Sequence, residues 1–376
     1  MEQLTASADQ LEQLAEVLRE YLRDKDAHRE NTLNYLYSQP ELIAAASLIA
    51  PFDAEQWLDL FAKCYNSLEA KARDLKINKS LHAECFTLYI PLALHIAQRR
   101  IEVFDQHSHA PIIGINGGQG SGKTTLNYLL QIVLKEAFGL HAVGVSIDDF
   151  YKTYAARHAM AESIHPLFAT RSVAGTHDTT LAINTLKTLR SLSSGACSIP
   201  RFDKSLFNGE GDRLAESKWT TTLAPVDVVL FEGWFVAAEP QTDDELKHAI
   251  NDREREEDSD GVWRQTLNHH LATDYAELFD LLDELIVIQV GGMETIYRNR
   301  ELQEQKLREA TKDNAGGSGA MSPEAVIRFI ALYERTTRHM LKTLPNRARI
   351  VMNLGESHRI ESVRVNPPSD ELRGFN

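Results

Sequence analysis

Cysteine is scarce: Cys64, Cys85 and Cys197 are the only three in 376 residues, an odd number with no CxxC pair. That excludes a disulfide framework and a cysteine zinc site, and it suits a reducing compartment in which the three thiols act as small buried hydrophobes. Long apolar runs are missing too, and Met1-Glu-Gln-Leu-Thr5 has no basic stretch leading into an apolar one. The expectation is a cytoplasmic protein with no membrane attachment. Positive charge is in deficit, with 40 Lys and Arg against 54 Asp and Glu and a net charge of −14. Such a field repels polyanions, which argues against an extended nucleic-acid surface, and any anionic ligand must meet a local positive pocket. No internal repeat is visible.

What the chain does contain is enough length for one large α/β domain and a smaller appendage. Between about residues 7 and 105 the apolar positions recur at helical spacing, as in Leu11, Leu14, Ala15, Leu18 and Leu22, or Trp57, Leu60, Phe61 and Cys64. An all-helical N-terminal region is therefore expected over residues 1–105. Its last periodic stretch, Ser80 to Phe104, contains Pro91, which should kink or split it. The polar joint Asp105 to Pro111 marks the boundary with a second domain, residues 106–376.

Beyond Pro111, short apolar runs alternate with helical segments, the pattern of a parallel sheet flanked by helices. Strands are expected at Ile112–Asn116, Ala142–Ile147, Val226–Phe231, Leu285–Val290 and Ala348–Asn353. The acid-rich stretch at about 240–262 reads as a solvated insertion, and Asn314 to Ala320, rich in glycine, as a mobile loop.

The strongest motif is Gly117, Gly118, Gln119, Gly120, Ser121, Gly122, Lys123, Thr124, which fits GxxxxGK[ST] and stands between an apolar strand and a helix through Leu126, Leu129, Leu130 and Val133. A triphosphate needs many backbone N–H donors, and glycine lets the chain curl closely enough to supply them. Lys123 reaches the β- and γ-phosphates, Thr124 offers its hydroxyl to Mg²⁺, and Thr125 completes the ATP-binding segment. The fold class is thus α/β with a P-loop NTPase-type parallel sheet. A guanine-reading Asn-Lys-x-Asp does not follow; the one Asn-Lys, Asn78-Lys79, precedes the loop and lacks the acid.

Carboxylates stand where a kinase needs them. The second expected strand ends in Asp148-Asp149-Phe150-Tyr151 and the third in Glu232-Gly233-Trp234, both at the carboxyl edge beside the phosphate loop. A substrate hydroxyl has a very high pKa, so a carboxylate that orients it or takes its proton is useful, and Asp148 is assigned that role. Glu232 reads as the acid of a Walker-B strand. With Thr124 and Asp148 it makes up the expected Mg²⁺ set. Asp149 is either a supporting acid or a loop cap.

The phosphate loop and Asp-Asp-Phe-Tyr together resemble the phosphoribulokinase, uridine kinase and pantothenate kinase superfamily. Four further motifs, Arg171-Ser-Val-Ala-Gly175-Thr-His177-Asp178, Pro200-Arg201-Phe-Asp203-Lys204-Ser205 running into Gly209-Glu-Gly211-Asp212-Arg213, Phe231-Glu-Gly-Trp234 and Gly319-Ala-Met321-Ser-Pro-Glu-Ala-Val326, occur in the order of plant-type D-glycerate 3-kinases. The resemblance covers roughly residues 110 to 355. It implies transfer of the ATP γ-phosphoryl group to the 3-hydroxyl of D-glycerate, giving 3-phosphoglycerate.

A small carboxylate calls for a guanidinium fork, and Arg171, Arg201 and Arg213 are the candidates, with Lys204 as a further charge. Pairing with Asp203 or Asp212 is the competing use of any one of them. By resemblance His177 and Asp178 line the acceptor pocket, Asp178 holding a hydroxyl, although Asp178 also stands where a helix N-cap belongs. Tyr297-Arg298-Asn299-Arg300 opens a charged helix where related kinases carry a lid, here at about 293–320. Arg298 is the candidate for transition-state charge stabilisation together with Arg300. Asn299 departs from the tryptophan expected of the family at that place. Pantothenate, a nucleoside or a sugar phosphate is the alternative acceptor, and a nucleotide-gated ATPase the alternative class. The oligomeric state, monomer or dimer, stays open.

Overall fold

The computed structural model describes residues 2–310 and 321–368. Its strands are β1 (Glu2–Leu4), β2 (Ile112–Gly117), β3 (Ala142–Ser146), β4 (Ala196–Ile199), β5 (Phe202–Asp203), β6 (Asp212–Arg213), β7 (Thr220–Leu223), β8 (Val228–Gly233), β9 (Glu284–Val290), β10 (Ile350–Leu354) and β11 (Ile360–Val365). Seven of them form the central sheet in the order β1-β11-β10-β9-β2-β8-β3. The five strands from β10 to β3 are parallel, and β11 and β1 add an antiparallel margin. All five expected strands are present. The run that starts at Val226 enters the sheet only at Val228, because the Val226 N–H is taken by Leu192 and the Asp227 carboxylate by Arg100 and the His141 N–H. β4 pairs with β7, and β5 with β6, in two small antiparallel ribbons beside the sheet.

The N-terminal helices are α1 (Ala8–Arg23), α2 (Lys25–Ser38), α3 (Pro40–Ile49), α4 (Ala54–Asp74), α5 (His82–Glu84) and α6 (Ile90–His107). Ser7 starts α1 with a capping box closed by Gln10. A π turn, Cys85–Tyr89, joins α5 to α6, and the Ile90 N–H reaches back five residues to the Cys85 carbonyl. Pro91 follows at the start of α6, where its missing N–H is harmless. One expectation needs correcting: this region is not all helix. Glu2–Leu4 pairs antiparallel with β11, and three residues are too few to show a period of two.

The remaining helices are α7 (Lys123–Phe138), α8 (Tyr154–Ser163), α9 (Thr179–Arg190), α10 (Asp243–Leu246), α11 (Asp252–Glu257), α12 (Val262–Ala272), α13 (Asp274–Phe279), α14 (Met293–Ala310) and α15 (Pro323–Arg347). Side chains alternate across the sheet. Ile113, Ile115, Leu230 and Ile288 face a core shared with α7 and the N-terminal helices. Ile112, Val229, Phe231 and Val287 face the other core, with α9, α12, α13 and α15. Trp57, Phe61 and Phe86 are fully buried in the first core, each contributing on the order of 1.5–3 kcal/mol by leaving water.

The acid-rich stretch is not simply solvated. Glu254 is 1% exposed and bonds the Arg335 guanidinium at 2.6 and 2.8 Å, and Asp258, fully buried, accepts the Trp263 N–H at 2.7 Å and pairs with Arg264 at 2.8 Å. The stretch is thereby fastened to α12 and α15. The glycine-rich stretch Asn314 to Ala320 lies outside the described residues. Among the described residues no helix is long and apolar enough to cross a membrane.

Candidate functional site

The site forms where β2, β3 and β8 end. Residues 118–122 curl from β2 into α7, with Gly120 and Gly122 at φ 75° and 87°, a region in which any other residue would be strained. A Cβ on Gly117 would stand 2.5 Å from the Ser121 hydroxyl, so the turn also needs glycine for closeness. Sheet register aligns Glu232 with Ile115 on one side and Ser146 on the other, which brings its carboxylate to the start of α7. The Thr124 hydroxyl donates to Glu232 Oε1 at 2.9 Å. Glu232 Oε2 is buried without a hydrogen-bond partner among the described residues. Burial pushes this carboxyl above its usual range, opposed chiefly by Lys123.

Asp148 sits in the 3-10 turn after β3, its N–H donating to Ser146 Oγ at 3.3 Å. Burial works to raise its carboxyl, but the Lys204 ammonium, 2.5 Å from Oδ2, and then Lys123 outweigh it and hold the group below the ordinary carboxylate range. Asp149 turns the other way. Its carboxylate takes the Arg201 guanidinium at 2.5 Å and the Phe202 N–H at 3.3 Å, tying β5 to the turn, while burial still leaves its pKa raised. Of the two alternatives for Asp149, the loop-holding one matches its contacts.

These groups open onto one cavity of about 700 Å³. Lys123, Thr124, Asp148 and Glu232 line it, and Arg171, Arg201, Lys204 and Arg300 bring further positive charge to it. Tyr151, Trp234, Phe329 and Tyr333 supply aromatic wall. A cluster of hard oxygens with one unpartnered carboxylate oxygen is the donor type a hard divalent cation takes.

Other expected site residues fall elsewhere. Arg213 is tucked behind the wall, bonded to Asp178 at 3.1 Å and to the Tyr151 carbonyl at 3.0 Å. Asp178 caps α9 by accepting the Leu181 N–H at 3.0 Å, so both its oxygens are engaged and it does not line the cavity. His177 is buried and stacks on Tyr151 at 4.0 Å between ring centres. Its Nδ1 lies 2.8 Å from the Tyr275 hydroxyl, which also accepts the Gly175 and His177 N–H groups. With two donors already pointing at it, that hydroxyl donates its proton to Nδ1, leaving Nε2 to carry the imidazole proton. Burial lowers the ring's pKa to about 3, so it is neutral. Arg298 stands away from the cavity, half exposed and paired with Glu356 at 2.6 Å. Arg300 is the arginine of α14 that reaches the cavity, paired with Glu304 and 5.2 Å from the Phe329 ring centre.

Sequence reasoning missed the aromatic wall and Tyr275. Tyr151 and Trp234 lie inside the motifs and give a signal; Phe329 and Tyr333, one turn apart on α15, belong to no motif.

No family model matches this chain. A Schizosaccharomyces pombe protein described as uncharacterized kinase mug58 is 36% identical over 248 residues, 64% of this chain and 84% of its own. The chloroplastic D-glycerate 3-kinase of Arabidopsis thaliana is 30% identical over 281 residues, 72% of this chain and 58% of its own. The solved structure of a Cryptococcus neoformans D-glycerate 3-kinase superposes with a TM-score of 0.60 at 25% identity, covering 73% of this chain and 99% of its own. Together with the phosphate loop and its strand-end acids, these relationships make the protein a nucleotide-binding phosphotransferase, and the chain belongs to the kinase family that includes the plant-type D-glycerate 3-kinases.

Proposed function

We propose that the protein transfers the γ-phosphoryl group of ATP to the 3-hydroxyl of D-glycerate, giving 3-phosphoglycerate and ADP. The observation that carries this reading is the single cavity that the phosphate loop, Thr124, Asp148 and Glu232 share with Arg171, Arg201, Lys204 and Arg300. An acidic protein has gathered positive charge at one place, as a small anionic acceptor requires.

Lys123 and the loop N–H groups hold the phosphates. Thr124, Glu232 and Asp148 are the residues that would hold Mg²⁺, which when bound neutralises charge on the phosphoryl oxygens. Asp148 orients the acceptor hydroxyl. As that oxygen bonds to the γ-phosphorus and the bond to the β-phosphate oxygen breaks, its proton passes to the carboxylate and on to solvent. A carboxylate with a depressed pKa takes the proton late, which suits a loose phosphoryl transition state. Arg171, Arg201 and Lys204 are the partners for the glycerate carboxylate, and Arg300 rather than Arg298 stabilises the developing charge. His177, Asp178 and Arg213 act from behind by holding Tyr151 and the β5–β6 ribbon. The three cysteines, all free and buried, favour a cytoplasmic setting.

A coupled ADP-release assay over a panel of hydroxy acids, nucleosides and pantothenate should put D-glycerate far ahead, with the phosphorylated position read by phosphorus NMR. Equal turnover of uridine or pantothenate would overturn the acceptor. ATP hydrolysis that ignores every added acceptor would favour a nucleotide-gated ATPase.

A further inference from the structure

The first turn of α7 is shared between two cavities. Lys123 and Thr124 border the charged one, whereas Gly122, Thr125 and Leu126 border another of about 270 Å³ that is mostly apolar. Ile288, Met352 and Leu354 of the sheet form its floor. Most of its remaining wall comes from the N-terminal region, with Leu11 of α1, Ala45 and Ala46 of α3, and Ile77, Leu81 and Leu88, and β11 adds Ile360 and Val363. Polar side chains stand at more exposed positions around it: the Lys79–Glu84 pair at 3.0 Å, Thr87, and His358 with Arg359 in the β10–β11 turn.

A triphosphate seated on the loop has its γ-end at Lys123, Thr124 and Glu232, inside the charged cavity. The α-phosphate and the nucleoside must then leave past Gly122 and Thr125, toward the apolar cavity. A flat heteroaromatic ring gains most by shedding water into an apolar slot whose polar groups meet its edge. The volume lies just below the ~300 Å³ at which small-ligand clefts usually begin, which suits one bicyclic base and nothing much larger.

We propose that this cavity receives the purine base of the nucleotide, so that the N-terminal helices, which the motif resemblance leaves out, complete the nucleotide site. The inference rests on the reading of the protein as an ATP-dependent kinase. It gives these helices a function in binding as well as in packing.

Two substitutions test it: Thr87→Trp, at a partly exposed position, and Ala46→Leu, deeper in the wall. Titration calorimetry on the full chain would compare ATP with inorganic tripolyphosphate, and circular-dichroism melting would verify folding. ATP affinity should fall by about tenfold or more in each variant, while tripolyphosphate affinity stays within about twofold. Folded variants that bind ATP like wild type would place the base elsewhere and leave the kinase reading intact. A wild-type protein that binds neither ligand would sink the kinase reading itself. Photolabelling of the wild type with 8-azido-ATP needs no variant: modified peptides from Ile77–Tyr89 or Gly355–Ile360 support the proposal, and labelling confined to other segments overturns it.

Discussion

The two cavities on either side of the first turn of α7 are built by opposite rules. The charged one draws most of its charged groups from short motifs at strand ends, where Lys204 is held by Asp148, Arg201 by Asp149 and Thr124 by Glu232. The apolar one draws its walls from the N-terminal helical region and from the sheet, and its inner residues meet through packing alone. A charged site demands particular residues at particular places. A packed one demands shape, which many sequences satisfy.

The sharpest way to separate the two is to damage each alone. Asp148→Asn should leave ATP binding in place and cut turnover by about two to four decades, the usual range for a positioned acid–base group; wild-type turnover would remove Asp148 from the mechanism. Trp57→Ala strikes the other side, since the indole is fully buried in the core that supports the apolar wall. Denaturant melts should show a loss of about 3–5 kcal/mol. Because that core is shared with α7, a single unfolding transition is expected, and two well-separated transitions would contradict a shared core.

Lys204→Met probes the charged side more gently. Acceptor KM should rise by about tenfold with nucleotide KM unchanged. Lys204 holds the Asp148 carboxyl below its ordinary range, so the wild-type acid limb of kcat/KM should lie at low pH. Removing the ammonium lets burial raise the carboxyl, and the acid limb should move to higher pH; no movement would show that Lys204 does not control Asp148. The smallest effect is expected from Tyr275→Phe. Losing the proton donated to His177 Nδ1 should unlock the tautomer, seen in ¹⁵N shifts, with a change of only about two- to fivefold in acceptor KM. The wild-type ring, with a pKa of about 3, should stay neutral from pH 5 to 8. An Nδ1-protonated ring in the wild type would refute the assignment.

What was legible in the sequence divides along the same line. The five parallel strands, the phosphate loop and the position of Asp148 and Glu232 beside it were readable because alternating apolar runs and helical segments, with a glycine loop between strand and helix, fix where strand ends fall. Arg298 against Arg300 was not. The two stand two positions apart, with only Asn299 between them, which on a helix puts them on different faces, and only the packing of α14 against α15 decides which face meets the cavity. Nor did the acid-rich stretch reveal that Glu254 and Asp258 are buried. Asp258 finds Arg264 six residues on, but Glu254 depends on Arg335, 81 residues away, and charge counting cannot see a partner at that distance. The three-residue β1 was silent for want of length.

That small strand sets a schedule for the whole chain. Glu2 lies opposite Arg364, so the margin of the sheet is closed by residues far apart in the order of synthesis. At ~5–20 residues per second, on the order of half a minute passes between their appearances. Through that interval β1 has no strand to join, and the N-terminal helices must wait, folded or not, beside an unfinished sheet. A bulky insertion placed just ahead of Glu2 would therefore burden a late step of assembly, although it is made long before β11.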